Sequence, residues 1–269
     1  MTDTVTDTVT RNDAGTSKAS MTKRLVIFAK DKGGTGASFI ARLVGEMHAN
    51  RNAGALLVDG DGTTASLSKH FGLPRENYDD PSAVNEQNPV RTFSLHGKER
   101  DRDKIASLLE ADASTIVLDL PATALTVLRR IEAEAGWVGM IREHGFRPTI
   151  VASITPFEES IFDLRDAMEL FGADADYIAV VNIGTAEDRD DFSLWDGGET
   201  RKRFSAAGGL EVEFPRLKPR IAAVLSKYKL TFEAGLSSEH LELMDRSRLA
   251  KWISLAETAI APVAPQLGL

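Results

Sequence analysis

The chain has 269 residues, 42% of them apolar, with a mean hydropathy of -0.17, which is enough for a buried core and too apolar for wholesale disorder. It contains no cysteine, and that excludes a disulfide framework, thiolate nucleophiles, thiolate zinc sites and cysteine-held iron–sulfur clusters. A net charge of -8 and a pI near 5.3 argue against a surface coated in positive potential, though not against a local basic patch.

The first 21 residues repeat the tetrapeptide TDTV and are rich in Thr, Ser and Asp, the composition of a disordered tail, with Met21 an alternative start. Residues 22–269 are then expected to form a single domain. LVIFA at 25–29 is a short, continuously apolar run of the kind a buried parallel strand shows. ALLVDG at 55–60, STIVLDL at 114–120, PTIVASI at 148–154 and YIAVVNI at 177–183 repeat the pattern. Helical periodicity lies between them, notably over 125–145 and 158–172. Strands alternating with helices predict an α/β fold: a doubly wound, mostly parallel sheet with helices on both faces. The polar segment 184–200 reads as an exposed loop, followed by a short strand GLEVEF and helical patterns to about residue 261. No apolar run approaches the roughly 18 residues that a membrane span needs, and the start lacks the apolar stretch of a secretory signal, so a cytoplasmic location is expected.

Ligands of such sheets collect at the carboxyl ends of the strands, and the chemistry-bearing residues of this sequence fall there. After the first strand comes KDKGGTGAS, residues 30–38. Gly33, Gly34 and Gly36 allow a tight curl that aims main-chain N–H groups inward, the following helix adds its N-terminal dipole, and Ser38 sits where a phosphate-loop hydroxyl meets Mg²⁺. Asp59 and Asp61 follow the second strand, and Asp119 ends the third. Asp119 follows three apolar residues, and a carboxylate there is costly unless it meets a cation or several donors. Asn182 ends a further strand.

KGGTGAS resembles the deviant Walker A signature KGG-x-GK-[ST] of the ParA/MinD family of P-loop ATPases. The resemblance spans most of 23–236, and it is specific only at this loop and at the segments following Asp59 and Asp119. It implies ATP and Mg²⁺ as cofactors, cradled by Lys32, Gly33, Gly34, Thr35, Gly36, Ala37 and Ser38. Lys32 falls on the early signature lysine, which reaches the partner's phosphates in a face-to-face homodimer. Asp61 would orient the attacking water, and Asp59 and Asp119 would join Ser38 around the metal, the two acids through water. Asn182, Pro215 and Arg216 fall where the family contacts the base. LDLPAT departs from the family's D-x-P-A-G in having Thr123 for glycine.

The larger departure is Ala37, which stands where the family has its principal lysine. Two readings stay open: a natural member that hydrolyses slowly or not at all, or a lysine deliberately replaced, which accords with the intact state of the other elements. Under either, ATP hydrolysis is expected to be weak, since removing a preorganised positive charge from a phosphoryl-transfer site costs on the order of 10²-fold or more in rate. The switch would position plasmid or mobile-element DNA or another cargo, with an activating partner protein and a nucleoid-associated location. The alternative is a non-catalytic, nucleotide-dependent scaffold. A basic segment, with Arg201, Lys202, Arg203, Arg216, Lys218, Arg220, Lys227 and Lys229, is the candidate for nonspecific DNA contact. The last helix carries Leu249, Trp252, Ile253, Ala256 and Ile260 on one stripe and is expected to pack on the domain rather than on a membrane.

Overall fold

The computed structural model describes residues 23–51, 54–72 and 90–269; the tail expected over 1–21 lies outside the described residues. Seven strands form one parallel sheet: β1 (Lys23–Phe28), β2 (Ala55–Asp59), β3 (Val90–Thr92), β4 (Thr115–Asp119), β5 (Phe146–Ile154), β6 (Asp176–Asn182) and β7 (Leu210–Phe214). Their spatial order is β3-β2-β4-β1-β5-β6-β7, so β1 is central. The chain moves to one side of β1 through β2 to β4, then crosses to the other at β5. That reversal opens a crevice at the carboxyl ends of the central strands.

The strands are apolar on both faces because both faces are covered. On one face Leu25, Ile27, Ile116, Leu118 and Ile150 pack against α3 (Ala124–Ala135), α4 (Trp137–Glu143) and α5 (Glu158–Phe171). On the other, Val26, Phe28, Val117, Val151 and Val180 meet α1 (Ala37–Asn50), α7 (Pro219–Tyr228) and α9 (Leu243–Ile260). Short helices α2 (Ser66–His70), α6 (Glu199–Ala206) and α8 (Phe232–Ser237) complete the described frame used below.

Some expectations needed correction. Strand β3 was not anticipated, because three residues are too few to show a period; it is recognisable only from its pairing with β2. The helical pattern over 125–145 is two helices, broken at Gly136 with φ +67°. The segment 184–200 is not simply an exposed loop: it turns through short helical pieces that bury Phe192 and Trp195 completely. Their apolar side chains were hidden among acidic neighbours, and two aromatics suffice to anchor a polar stretch. The terminal helix packs as expected, with Leu249, Trp252, Ala256 and Ile260 buried in the second core. Among the described residues no helix is long and apolar enough to cross a membrane.

Candidate functional site

Sheet register brings the site together. Phe28 of β1 and Asp59 of β2 both stand opposite Asp119 of β4, so the three strands end level with one another. The chain leaves β1 into the glycine loop directly beside the two acids. Gly34 and Gly36 adopt φ +85° and +88°, a region that side chains disfavour. At Gly36 a Cβ would also lie 2.3 Å from the Asn182 amide nitrogen. Helix α1 then starts with no side-chain cap, and among the described residues none accepts from the main-chain N–H groups of Gly33 through Ser38. An uncapped helix start preceded by such a loop is a ready-made anion site.

The loop is braced from behind by β5 and β6. Ser153 Oγ donates to the Thr35 carbonyl at 2.6 Å, and Asn182 Nδ2 donates to the same oxygen at 3.0 Å. Asn182 Oδ1 accepts from Gly184 N–H at 3.0 Å, so one end of this amide holds the glycine loop and the other the turn after β6. Ser153 was not singled out in the sequence, where nothing distinguishes it from any serine in a buried strand.

Ser38 Oγ donates to Asp119 Oδ1 at 2.9 Å. The other oxygen of Asp119, Oδ2, is buried without a hydrogen-bond partner in the described structure. Burial pushes the Asp119 carboxyl up, against the pull of Lys30 and Ser38. Asp59 is buried too, and its oxygens accept from the N–H groups of Asp61 at 3.0 Å and Ser68 at 2.8 Å. Burial first, and the nearby Asp119 second, raise Asp59 to about 7. Asp61 accepts from Thr63 and Thr64 N–H at 3.0 and 2.8 Å, which folds the loop after β2 back on itself. A hydroxyl beside a carboxylate with an unused oxygen fits a divalent cation such as Mg²⁺, which takes one or two protein oxygens and completes its shell with water and phosphate. Among the described residues no group of three or more His, Cys, Asp or Glu is placed to hold a metal ion by itself.

Lys32 points outward. Its side chain is 62% exposed, and its ammonium lies 3.5 Å from Glu159 Oε1. A cleft of about 310 Å³ adjoins it, lined by Lys32, Gly33, Gly34 and Thr35 on one side and Thr155, Phe157, Glu159 and Ser160 on the other. Phe157 is 64% exposed there and also borders a shallow recess edged by Gly184, Thr185 and Arg216. Arg216 donates to the Glu187 carbonyl at 3.1 Å, while the Pro215 carbonyl accepts from Trp252 Nε1 at 2.9 Å. The phosphate-side residues thus converge, whereas Pro215 is turned to the terminal helix.

Ala37 is 2% exposed at the first turn of α1. The lysine that enters this region is Lys30, which the sequence reading left without a role. Its ammonium donates to the Leu120 carbonyl at 2.7 Å and to Ser38 Oγ at 3.0 Å, and lies 3.7 Å from Asp119 Oδ1. The available signal was a charged residue directly after a buried strand.

Several charges of the basic segment are already spent within the chain. Arg201 pairs with Glu211 and Asp196, Lys202 with Glu199, and Arg220 with Asp245.

The seven-stranded parallel sheet and the strand–glycine loop–helix unit at its centre give a P-loop-type α/β fold. No protein-family model matches the sequence, and no curated protein is significantly similar to it. Solved structures do match. The septum site-determining protein MinD of Pyrococcus horikoshii, complexed with Mg-ADP, aligns over 85% of this chain and 94% of its own at TM-score 0.50 and 16% identity. The cell division ATPase MinD of Pyrococcus furiosus aligns over 87% and 99% at TM-score 0.50 and 17% identity. A ParA family ATPase of Chlorobium tepidum aligns over 86% and 99% at TM-score 0.50 and 15% identity. The fold is that of the ParA/MinD ATPases.

Proposed function

We propose that this chain is a ParA/MinD-like switch that binds ATP and Mg²⁺ at residues 32–38 and associates face to face with a second copy while nucleotide is held. The observation that carries the reading is Ser38 hydrogen-bonded to Asp119, whose second oxygen is unpartnered, beside a glycine loop whose N–H groups find no acceptor among the described residues. When bound, ATP and Mg²⁺ supply a triphosphate whose terminal anhydride can be hydrolysed. Gly33–Ser38 would hold phosphate oxygens through main-chain N–H groups, and Ser38 directly and Asp119 through water would hold the metal. Asp59 fixes the entry to the loop after β2 and, in this reading, reaches the metal through water. Asp61 orients the water there. The exposed Lys32 is free to leave Glu159 for the partner's phosphates, since an ion pair at such exposure is worth only about 0–1 kcal/mol. Asn182 supports the loop and Arg216 edges the recess where a base would lie.

Hydrolysis is weak in this proposal because Ala37 carries no charge. The cargo is plasmid or mobile-element DNA, with a partner protein that stimulates turnover. The internal pairing of Arg201, Lys202 and Arg220 leaves a reduced basic surface for DNA, so gel-shift titration with ATP at several salt concentrations is decisive: absent or salt-independent binding removes DNA from the proposal.

Ala37 also favours a second reading, a nucleotide-dependent scaffold without catalysis. ATP turnover by the Ala37→Lys variant separates the two. A gain on the order of 10²-fold supports the switch, and no gain supports the scaffold.

A further inference from the structure

We infer that Lys30 supplies the phosphate-binding positive charge that position 37 lacks, so that the cation of this loop comes from the end of β1 rather than from the start of α1. The inference rests on the nucleotide-binding reading above and names the residue that sustains it.

Three observations carry it. First, the Lys30 side chain is turned inward, only 11% exposed, with its ammonium at the residue next to Ala37 and among three acceptors: Leu120 O, Ser38 Oγ and Asp119 Oδ1. Second, this placement is built. The main-chain carbonyl of Lys30 accepts from Ala124 N–H at 3.1 Å, and that of Asp31 accepts from Thr123 N–H at 3.1 Å. The Asp31 carboxylate is drawn outward by Thr126, whose hydroxyl and N–H donate to it at 2.9 and 3.2 Å. Asp31 and Lys32 therefore face away, and Lys30 alone of these three faces the acids. Third, residue 37 ends at Cβ and is buried, so it brings no ammonium of its own to this site.

A lysine in this position has the means to change partners. Its four-carbon stem is flexible, and an ammonium is a compact point charge with three rotatable donors. With a triphosphate in the loop, the ammonium exchanges the neutral Leu120 carbonyl for an anionic phosphate oxygen, a stronger acceptor. As the ammonium moves away from Ser38 Oγ as well, Ser38 and Asp119 would be left to hold a metal ion. Nucleotide binding thus survives the loss of the usual lysine. Turnover does not follow automatically, because the charge approaches from a different strand end and is not held where the family's lysine would stand.

The test measures equilibrium binding of a fluorescent ATP analogue, with and without Mg²⁺, by fluorescence anisotropy. It compares the unsubstituted chain with Lys30→Met, Lys30→Arg and the relocated pair Lys30→Met/Ala37→Lys, each checked for folding by circular dichroism. Lys30→Met is expected to weaken binding roughly 10- to 100-fold, the worth of one or two charge-assisted hydrogen bonds. Lys30→Arg should retain most of the affinity, and the relocated pair should recover it. Unchanged or tighter binding by a folded Lys30→Met overturns the inference while leaving the nucleotide reading intact, and so does a relocated pair that binds no better than Lys30→Met. Absence of binding by the unsubstituted chain overturns the nucleotide reading itself, and this inference with it.

Discussion

Asp59 and Asp119 stand directly opposite each other on the paired parallel strands β2 and β4, both buried, with Asp119 Oδ1 committed to Ser38 and Oδ2 to nothing. Burial disfavours the ionisation of both, and the nearby Asp119 adds to the cost for Asp59, while Lys30 works against it at Asp119. The mutational consequences are specific.

Asp119→Asn keeps an acceptor for Ser38 and removes the negative charge. The ligand-free variant should melt within a few degrees of the unsubstituted chain, because the buried repulsion disappears with the carboxylate. The unsubstituted chain should gain about 2.7 kcal/mol at nucleotide 100-fold above its dissociation constant. The part of that gain which depends on Mg²⁺ should vanish in the variant. Thermal melts with ATP, in Mg²⁺ or in chelator, measure it; equal magnesium dependence in both proteins would contradict the assignment.

Gly36→Ala meets two penalties at once, a positive φ and a Cβ placed 2.3 Å from the Asn182 amide. A loss of about 2 kcal/mol is expected. Nucleotide affinity should fall with it, because relieving the clash shifts the amide that holds Thr35. Urea unfolding and ATP titration of the same preparation report both.

Thr123 is a β-branched residue at φ +62°, where such residues are rare. Its hydroxyl touches His96 Nε2 at 3.1 Å on the exposed surface, a contact of small value. Thr123→Gly should therefore raise stability by about 1 kcal/mol, the usual cost of a left-handed backbone for a residue with a Cβ. A lowered urea midpoint would show that the contact outweighs the strain.

Glu46 is a buried acid outside the nucleotide site. It accepts from His70 Nε2 at 2.9 Å and from the N–H groups of Phe232 and Glu233 at 2.8 and 2.6 Å, tying α1 to α2 and capping α8. Glu46→Ala strands all three donors and should cost about 3 kcal/mol in urea unfolding. A cost below about 1 kcal/mol would mean that water replaces the carboxylate there.

His48 is buried on α1, its Nε2–H donating to the Leu267 carbonyl at 3.0 Å, and burial pulls its pKa below the usual 6.5. The folded protein therefore holds it neutral while the unfolded chain takes up a proton. Its stabilising contribution is complete above pH 6.5 and is lost as pH falls below that value. Asp59, raised to about 7, works in the opposite direction: the folded state keeps its proton where the unfolded chain has released it. The whole-protein profile mixes these, so the histidine is read from a difference. The gap between the unsubstituted chain and His48→Leu should shrink by up to about 1.4 kcal/mol per pH unit below 6.5. A gap that stays constant from pH 8 to 5 would show that His48 does not titrate with unfolding.

The sequence by itself determined the strand–loop–helix unit at 23–50, the α/β class, and the placement of Asp59, Asp61 and Asp119 after strands. These follow from local properties: continuous apolar runs, glycines where φ must be positive, and acids at the ends of buried segments. Tertiary structure alone decided the rest, because distance between remote residues is fixed by pairing and not by periodicity. Strand β3 exists only through β2, and Phe192 and Trp195 are core residues only because the sheet edge receives them. The Asn182 side chain is occupied because Thr35 lies against it. The same holds for Lys30. In the chain it is a charge seven residues before Ala37, and only the meeting of β1 with β4 carries its ammonium to Ser38 and Asp119.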